Sequence, residues 1–485
     1  MSAKAGLSIP GNCLDITIFN LQTFPMNQPF TSLENFGHSL RAQSYVFQPR
    51  TADEINQAFH HAKKDGLTIT ARGAGRSYND AAMNGGGIVL DLSGMNQILE
   101  WDPATGQVRC EPGVTLQQLW QRVLPDGWWP PVVSGTMTTT LGGCLGANIH
   151  GKNNFRMGTI GEHVTEFTAI LPTGAEITCT PKRNADLFHG LISGLGMLGI
   201  FTSITLQMKK IHSGLLEVHA WPSHTLAEQL KLLEDGAPNY DYIVGWLDCI
   251  TIGHGQIHAA NYLHEGEDPD AQKTMTLAYQ TLPSRLFGIM PKSLLHYFMT
   301  PFANNIGWGA VNIAKYIASL RRHTFRQSHA AFHFLLDYVP NWELSYGRGG
   351  LIQYQLFLPK ETVLAAWTEM LSLAKKRGLP SYLGVTKRHR PDKFLLSHAV
   401  DGFSLAMDFK VTDGNRARLF QLTQDFDRIV LEAGGRFYFA KNSETTAQTA
   451  RVFYGEATLK QFKKLKIRCD PNGLLESDLY RRIFS

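Results

Sequence analysis

Two stretches of this chain have almost nothing bulky to pack with. TITARGAGRSYND, residues 68 to 80, carries Gly73, Ala74 and Gly75 directly after an alternating apolar run. SGTMTTTLGGCLGANIHGKN, residues 134 to 153, is built mostly from Gly, Ala, Ser and Thr. Such segments bring backbone close to a neighbour, and their N–H groups can then meet anionic oxygens. One of them alone is equally a strand-to-strand turn needing positive φ. Two, in this order and separated by hairpins, could close around a single extended ligand with a pyrophosphate.

The first turn excludes the two commonest phosphate loops. A P-loop needs Gly-Lys-Ser/Thr after its spacer, and a dinucleotide-binding turn needs a third glycine that opens a helix. Here Tyr78 stands where that glycine belongs, and GIVLDL, which follows, alternates as a strand does.

The surrounding pattern is mixed α and β. Thr51 and Glu54 predict a capping box, Ile55, Ala58, Phe59 and Ala62 form a helical stripe, and Gly66 stops it. Hairpins are expected at ILEWD-PATG-QVRC and FTAILP-TG-AEITC, and a second capping box at Thr115 and Gln118. GIFTSITLQM closes the first part as a strand, a helix spans about 415 to 433, and RFYFAK reads as a strand ending at Lys441. His254 and His258 have helical metal-ligand spacing but no third ligand, so no metal site is predicted.

At 485 residues the chain can hold two domains, and with 18% charged residues it is globular. A net charge of +5 is too mild to suggest nucleic acid. The six cysteines form no Cys-x-x-Cys pair, which favours free thiols in a reducing compartment. The first residues lack a charged segment followed by an apolar one, so a secretory leader is not expected. A cytoplasmic protein, peripheral at the inner face of a membrane, fits these features. The membrane enters because no Asp or Glu lies between Asp270 and Asp337, while Lys273, Arg285, Lys292, Lys315, Arg321, Arg322 and Arg326 interleave with apolar residues. A solvated basic face over ordinary core helices explains the same pattern.

Several motifs, in order along most of the chain, carry a resemblance. They are ARGAGRSYND, PGVTLQQL, SGTMTTTLGGCLGANIHGKN, NADLF, GLIQYQLFLP, YLGVTKR, GGRFYFAKNSETT and ESDLYRR. From about residue 36 onward the chain resembles flavoproteins of the vanillyl-alcohol-oxidase type, and within them the decaprenylphosphoryl-ribose 2-oxidases. The resemblance implies an α+β protein with a PCMH-type FAD-binding domain of two α/β subdomains and a substrate domain with an antiparallel sheet. The matching divisions are an N-terminal arm (1–35), an FAD-binding domain (36–212), a substrate-binding domain (213–435) and a C-terminal segment returning to the active site (436–485).

Carried over residue by residue, the resemblance places FAD on Ala71, Arg72, Gly73, Ala74, Gly75, Arg76, Ser77, Tyr78, Asn79 and Asp80. It adds Gly135, Thr140, Leu141, Gly142, Gly143, Ala147, Asn148, Ile149, His150, Ile200 and Tyr438. Many relatives bond the flavin to a histidine where this chain has Arg76, so dissociable FAD is expected. Lys441, Tyr78 and His150 are the implied catalytic residues. Lys152, Gln353, Gln355 and Lys387, with His333, Ser404 and Ala406, are the implied substrate contacts. Their chemistry is consistent with sugar oxidation. A desolvated lysine can take a proton or hold a developing alkoxide, two glutamines two apart in a strand share one sheet face, and lysines suit a phosphate. Taken alone, Lys441 and Lys387 could be ordinary solvated lysines, and Tyr78 a packing tyrosine.

Three positions depart from the family pattern. Ala406 replaces a cysteine over the flavin, Ser404 an asparagine and His333 a tyrosine. The reading is an FAD-dependent oxidoreductase that converts the 2-hydroxyl of a polyprenyl-phosphoryl ribose to a ketone. A short-chain NAD(P)H-dependent reductase would be its partner in epimerisation. A soluble sugar or aldonolactone oxidase of the same fold, and a flavin- or lipid-binding protein without turnover, are the rivals.

Overall fold

The computed structural model describes residues 30–286, 289–321 and 323–485; Arg322 and most of the N-terminal arm lie outside them. Three sheets organise the chain. The first has four strands in the order Thr31–Glu34, Arg41–Phe47, Ile88–Asp91, Ile69–Arg72. Residues 31 to 34 are thus an added edge strand. The other three strands run parallel, because helix Ala52–Asp65 carries the chain over the sheet between two of them. That helix buries Ile55, Ala58, Phe59 and Ala62, the predicted stripe, and ends at Gly66 with φ 66°. Thr51 caps it by accepting from the Glu54 N–H, but the Glu54 carboxylate takes the N–H of Arg50 instead of Thr51. At Thr115 and Gln118 both halves of the capping box form, each worth about 1 kcal/mol.

The second sheet is antiparallel, in the order Ile98–Asp102, Gln107–Cys110, Ile200–Gln207, Val164–Ile170, Glu176–Cys179, and contains both predicted hairpins. Ile170 and Ile200 leave it to share a core with Ile55, Phe59, Ile69 and Ile88 of the first sheet, fixing the two small sheets to each other. The C-terminal residues return here. Ile69 N–H donates to Leu474 O (2.6 Å), and the Arg482 guanidinium forks onto the two Asp80 oxygens (2.6 and 2.8 Å).

The third sheet has eight antiparallel strands. Their order is His323–Ser328, Leu215–Ser223, Gly255–Tyr262, Tyr242–Leu247, Gly384–His389, Gly402–Lys410, Leu351–Pro359 and Arg436–Phe437. Alternation gives its faces different fates. Tyr354, Leu356, Leu405 and Met407 are buried in the main core, and Tyr354 Oη donates to Asp427 on helix Arg416–Glu432 (2.7 Å). The intervening residues face a cavity.

Two expectations change. RFYFAK is a strand only at Arg436 and Phe437; the chain then turns, with Lys441 N–H on Tyr438 O (2.9 Å). Lys441 therefore sits on a turn, not at a strand end. His258 lies in strand Gly255–Tyr262 and His254 just before it, stacked on Tyr316 at 4.0 Å, so their four-residue spacing is not helical. Among the described residues no helix is long and apolar enough to cross a membrane.

Candidate active site

A large cavity lies where the three sheets meet. One end is backbone: residues 71 to 78, then Gly135, Thr140, Gly142, Gly143, Gly146 and Ala147, with Gly196, Gly199 and Ile200. The turn after strand Ile69–Arg72 reverses through Gly75 at φ 65°, where a β-carbon would meet the Arg72 guanidinium. At Gly73 a β-carbon would overlap the Thr140 hydroxyl, so the two small-residue segments touch through hydrogen alone. The N–H groups of Ala74, Gly75, Arg76 and Ser77 find no acceptor among the described residues. They line the cavity and are available to an anion.

The other end is side chains from the eight-stranded sheet. Register puts them in rows: Gln353 beside Asp408, Gln355 beside Ala406 and Val385, Lys387 beside Ser404. All seven line the cavity. Gln353 Nε2 donates to Asp408 Oδ1 (2.6 Å), while Asp408 Oδ2 is buried without a partner. Gln355 Nε2 donates to His150 Nε2 (2.9 Å), which leaves the imidazole proton on Nδ1, and that atom has no partner either. The His389 ring meets that of His150 at 4.8 Å and bonds Ser404 Oγ through Nε2 (2.7 Å).

Electrostatics follow from burial. Desolvation lowers the Lys441 pKa to about 7, opposed by Asp408 and assisted by Lys387. Its ammonium lies over the Tyr78 ring, 3.9 Å from the centroid. Tyr78 is pushed well above the usual phenol range by burial and by the Asp408 and Glu343 charges, and its buried hydroxyl has no partner. Lys152 falls to about 7 through desolvation and Lys387; its ammonium bonds Phe332 O and lies 4.3 Å from the Phe332 ring centroid. Burial alone brings Lys387 down to about 8, and raises Asp408 to about 6 against the Gln353 bond and Lys441. His150 is held neutral by burial first, then by Lys387 and the neighbouring histidines.

Four residues assigned to the cofactor do not line the cavity. Asn79 donates Nδ2 to Phe439 O and accepts from Ala81 N–H; Asp80 is occupied by Arg482. Leu141 is fully buried in the core, and Asn148, at φ 45°, accepts from Gly161 N–H (3.0 Å). Arg72 reaches the cavity but its guanidinium donates to Ala82 O and Glu34 O, holding the loop's shape. Each supports the walls from behind. His333 is at the wall, stacked on Trp129 at 5.5 Å, with Nε2 unpartnered.

Sequence reasoning passed over Asp408, His389 and His398. Asp408 was within reach, since it stands two residues beyond Ala406 in the same strand and so shares its face. His398 reaches the His150 and Tyr438 rings from an irregular segment, which no periodicity marks.

The FAD binding domain family matches residues 43–180, the segment that supplies both backbone-rich walls. Decaprenylphosphoryl-β-D-ribose oxidase of Mycolicibacterium smegmatis is 31% identical over 434 residues, 87% of this chain and 90% of that protein. The chain belongs to this oxidase's family. It is an FAD-dependent oxidoreductase. More distantly, it is similar to L-gulonolactone oxidase of Mus musculus, 22% identical over 90% of this chain and 94% of that protein.

The cavity fits FAD on its own terms. Its cradle is glycine and alanine where a β-carbon would intrude, and unpaired N–H groups stand at the turn. Buried polar atoms without partners, Arg76 Nε, Tyr78 Oη, His150 Nδ1 and Asp408 Oδ2, belong to residues that line it. Such atoms cost roughly 1–3 kcal/mol each unless something meets them.

Proposed function

We propose that the protein oxidises the secondary hydroxyl of a phosphorylated sugar, with the 2-hydroxyl of a polyprenyl-phosphoryl ribose as the preferred substrate, using FAD held without a covalent bond. The observation that carries this reading is the charge of the sheet end of the cavity. Lys152, Lys387 and Lys441 line it against a single carboxylate, Asp408. A neutral lactone gives three partly buried lysines no counter-charge, whereas a phosphate does. Gln353 and Gln355, fixed by Asp408 and His150, supply oriented groups for sugar hydroxyls.

Bound FAD supplies the hydride acceptor, its N5. This chain's residues do the rest. Lys441, brought to about 7 by desolvation, exists in part as a neutral amine near pH 7 and takes the hydroxyl proton at Nζ. The Tyr78 ring lies against that nitrogen, and the Asp408 charge acts on it across the cavity. Neutral His150 offers its free Nδ1–H. Arg76 replaces the histidine that tethers flavin in many relatives, which supports dissociable FAD. The ketone product would pass to an NAD(P)H-dependent reductase.

The similarity to L-gulonolactone oxidase over most of both chains favours one second reading, a lactone oxidase. Anaerobic stopped-flow reduction decides between them. Bleaching of the flavin by a short-chain prenyl-phosphoryl ribose, and not by free aldonolactones, is the expected result; the reverse would establish the second reading.

A further inference from the structure

Helix Asn305–Ser319 is inside out. Its buried residues are polar: Asn312, 1% exposed, donates Nδ2 to Asp248 (3.0 Å), and Ser319 donates Oγ to Tyr316 O (2.7 Å); half-buried Tyr316 bonds His224 Nδ1 through Oη (2.6 Å). Its exposed residues are apolar, with Ile306 at 86%, Ile313 at 48% and Ile317 at 60%. With Ala310 they repeat at helical spacing and make one outward stripe. The helix is firmly started, since the Asn304 side chain accepts from the N–H groups of Ile306 and Gly307.

Several residues that precede the helix in sequence are also apolar and exposed. Ile289, Tyr297 and Phe298 are all more than half exposed, and ten of the twenty large exposed apolar side chains among the described residues fall between 289 and 320. Scattered exposed apolar residues mean nothing, but this concentration marks a contact surface.

Charge selects the occupant. Arg285 and Arg321, both exposed, flank this stretch in the sequence, and no carboxylate occurs from 271 to 336. Pairing with a second copy across a two-fold axis would set this patch against itself and leave its cations without counter-charges. An anionic lipid surface supplies both the apolar layer and the phosphates. The basic set is smaller than its sequence suggests. Lys292 is buried over the Tyr338 ring, Lys315 turns its ammonium to Trp246, and Arg326 stands opposite Glu217.

The face also backs onto the site. Trp308, on the inner side of the helix, stacks on Tyr382 and Tyr382 on Tyr346, in one buried cluster with Tyr78. Lys410, two residues beyond Asp408, donates to Ala303 O (2.8 Å). This cluster of aromatic rings joins the inner side of the helix to Tyr78 at the cavity wall.

We propose that residues 289–320 dock the protein on an anionic bilayer, with the Ile306–Ile313–Ile317 stripe in the interfacial layer and Arg285 and Arg321 on headgroup phosphates. A lipid-linked sugar could then enter the cavity while its tail stays in the membrane. The docking rests on the surface itself and not on the sugar, so vesicle binding and substrate oxidation can fail separately.

The test is sedimentation of the holoenzyme with vesicles of phosphatidylglycerol and phosphatidylcholine, and with phosphatidylcholine alone, alongside light scattering without lipid. The wild type should partition onto the anionic vesicles. Ile313→Lys/Ile317→Lys should lower the partition by about tenfold or more despite the added positive charge. Arg285→Ser/Arg321→Ser should weaken it at low salt and much less at high salt. Unchanged flavin absorbance and thermal unfolding would show that the variants fold. Should the lysine pair misfold, Ile313→Ser/Ile317→Ser must show a loss in the same direction. Wild type left in the supernatant, equal or tighter binding by the lysine pair, or a lipid-free dimer dissolved by that pair would each overturn the proposal.

Discussion

Replacing Asp408 by asparagine should move the pH profile of flavin reduction toward acid without abolishing reduction. Asp408 and Lys441 both line the cavity, and the Asp408 charge raises the lysine pKa that desolvation has brought down to about 7. In the wild type the two groups titrate as a pair; with asparagine the lysine loses its one acidic neighbour and keeps Lys387, which lowers its pKa further. Asparagine keeps an oxygen to accept from Gln353 Nε2, so the 2.6 Å bond has a replacement. Losing one charge in a partly buried site is worth at least ~1 pKa unit at an effective dielectric near 20. The sign is fixed by the chemistry. The proton acceptor is the neutral amine, so the rate rises with pH through the lysine pKa, and a lower pKa brings the rise earlier. At pH 6 the neutral fraction would go from about one in ten to about one in two, a ~5-fold gain relative to each enzyme's own plateau. The assay is single-turnover flavin bleaching from pH 5 to 9. A variant whose acid limb stays with that of the wild type would refute the role given to this pair, as would a wild type flat between pH 6 and 8.

Three further outcomes are expected. Acid precipitation should leave yellow FAD in the supernatant; a coloured pellet would show a covalent bond and remove the argument from Arg76. Gly73→Ala puts a methyl group into the Thr140 hydroxyl, an overpacking cost of ~1–3 kcal/mol. It should weaken FAD retention on a desalting column, and Thr140→Ala in the same chain should restore part of it. Lys387→Ala should raise KM for a phosphorylated substrate by ~10-fold or more, the loss of one charge-assisted hydrogen bond. It should change KM for the phosphate-free sugar much less, and equal effects on both would remove the phosphate from this residue.

The local structure was legible wherever a period or a cap sufficed. The helix Ala52–Asp65, both hairpins and the shared face of Gln353 and Gln355 follow from spacing, because side-chain direction in a helix or strand repeats regardless of what lies opposite. The small-residue segments announced a close backbone contact for the same reason, since absence of side chains is itself a sequence property. Resemblance carried the site residues, and the structure gathers most of them around one cavity. It places Asn79, Asp80, Leu141 and Asn148 behind the wall. Nothing in the sequence says that Arg482, some 400 positions away, takes the Asp80 carboxylate.

Other properties belong to the tertiary structure alone. The Lys441 pKa depends on burial against Tyr78 and on the distance to Asp408, which the register of two strands and one turn sets. The inversion of helix Asn305–Ser319 is of the same kind. Its amphipathic pattern is plain in the sequence, but an apolar stripe ordinarily points inward. Only the packing of Asn312 on Asp248 decides that here it points out. Sequence fixes the faces of each element, because those depend on neighbours a few residues away. Which face is buried depends on partners hundreds of residues away, and that is decided only when the chain has folded.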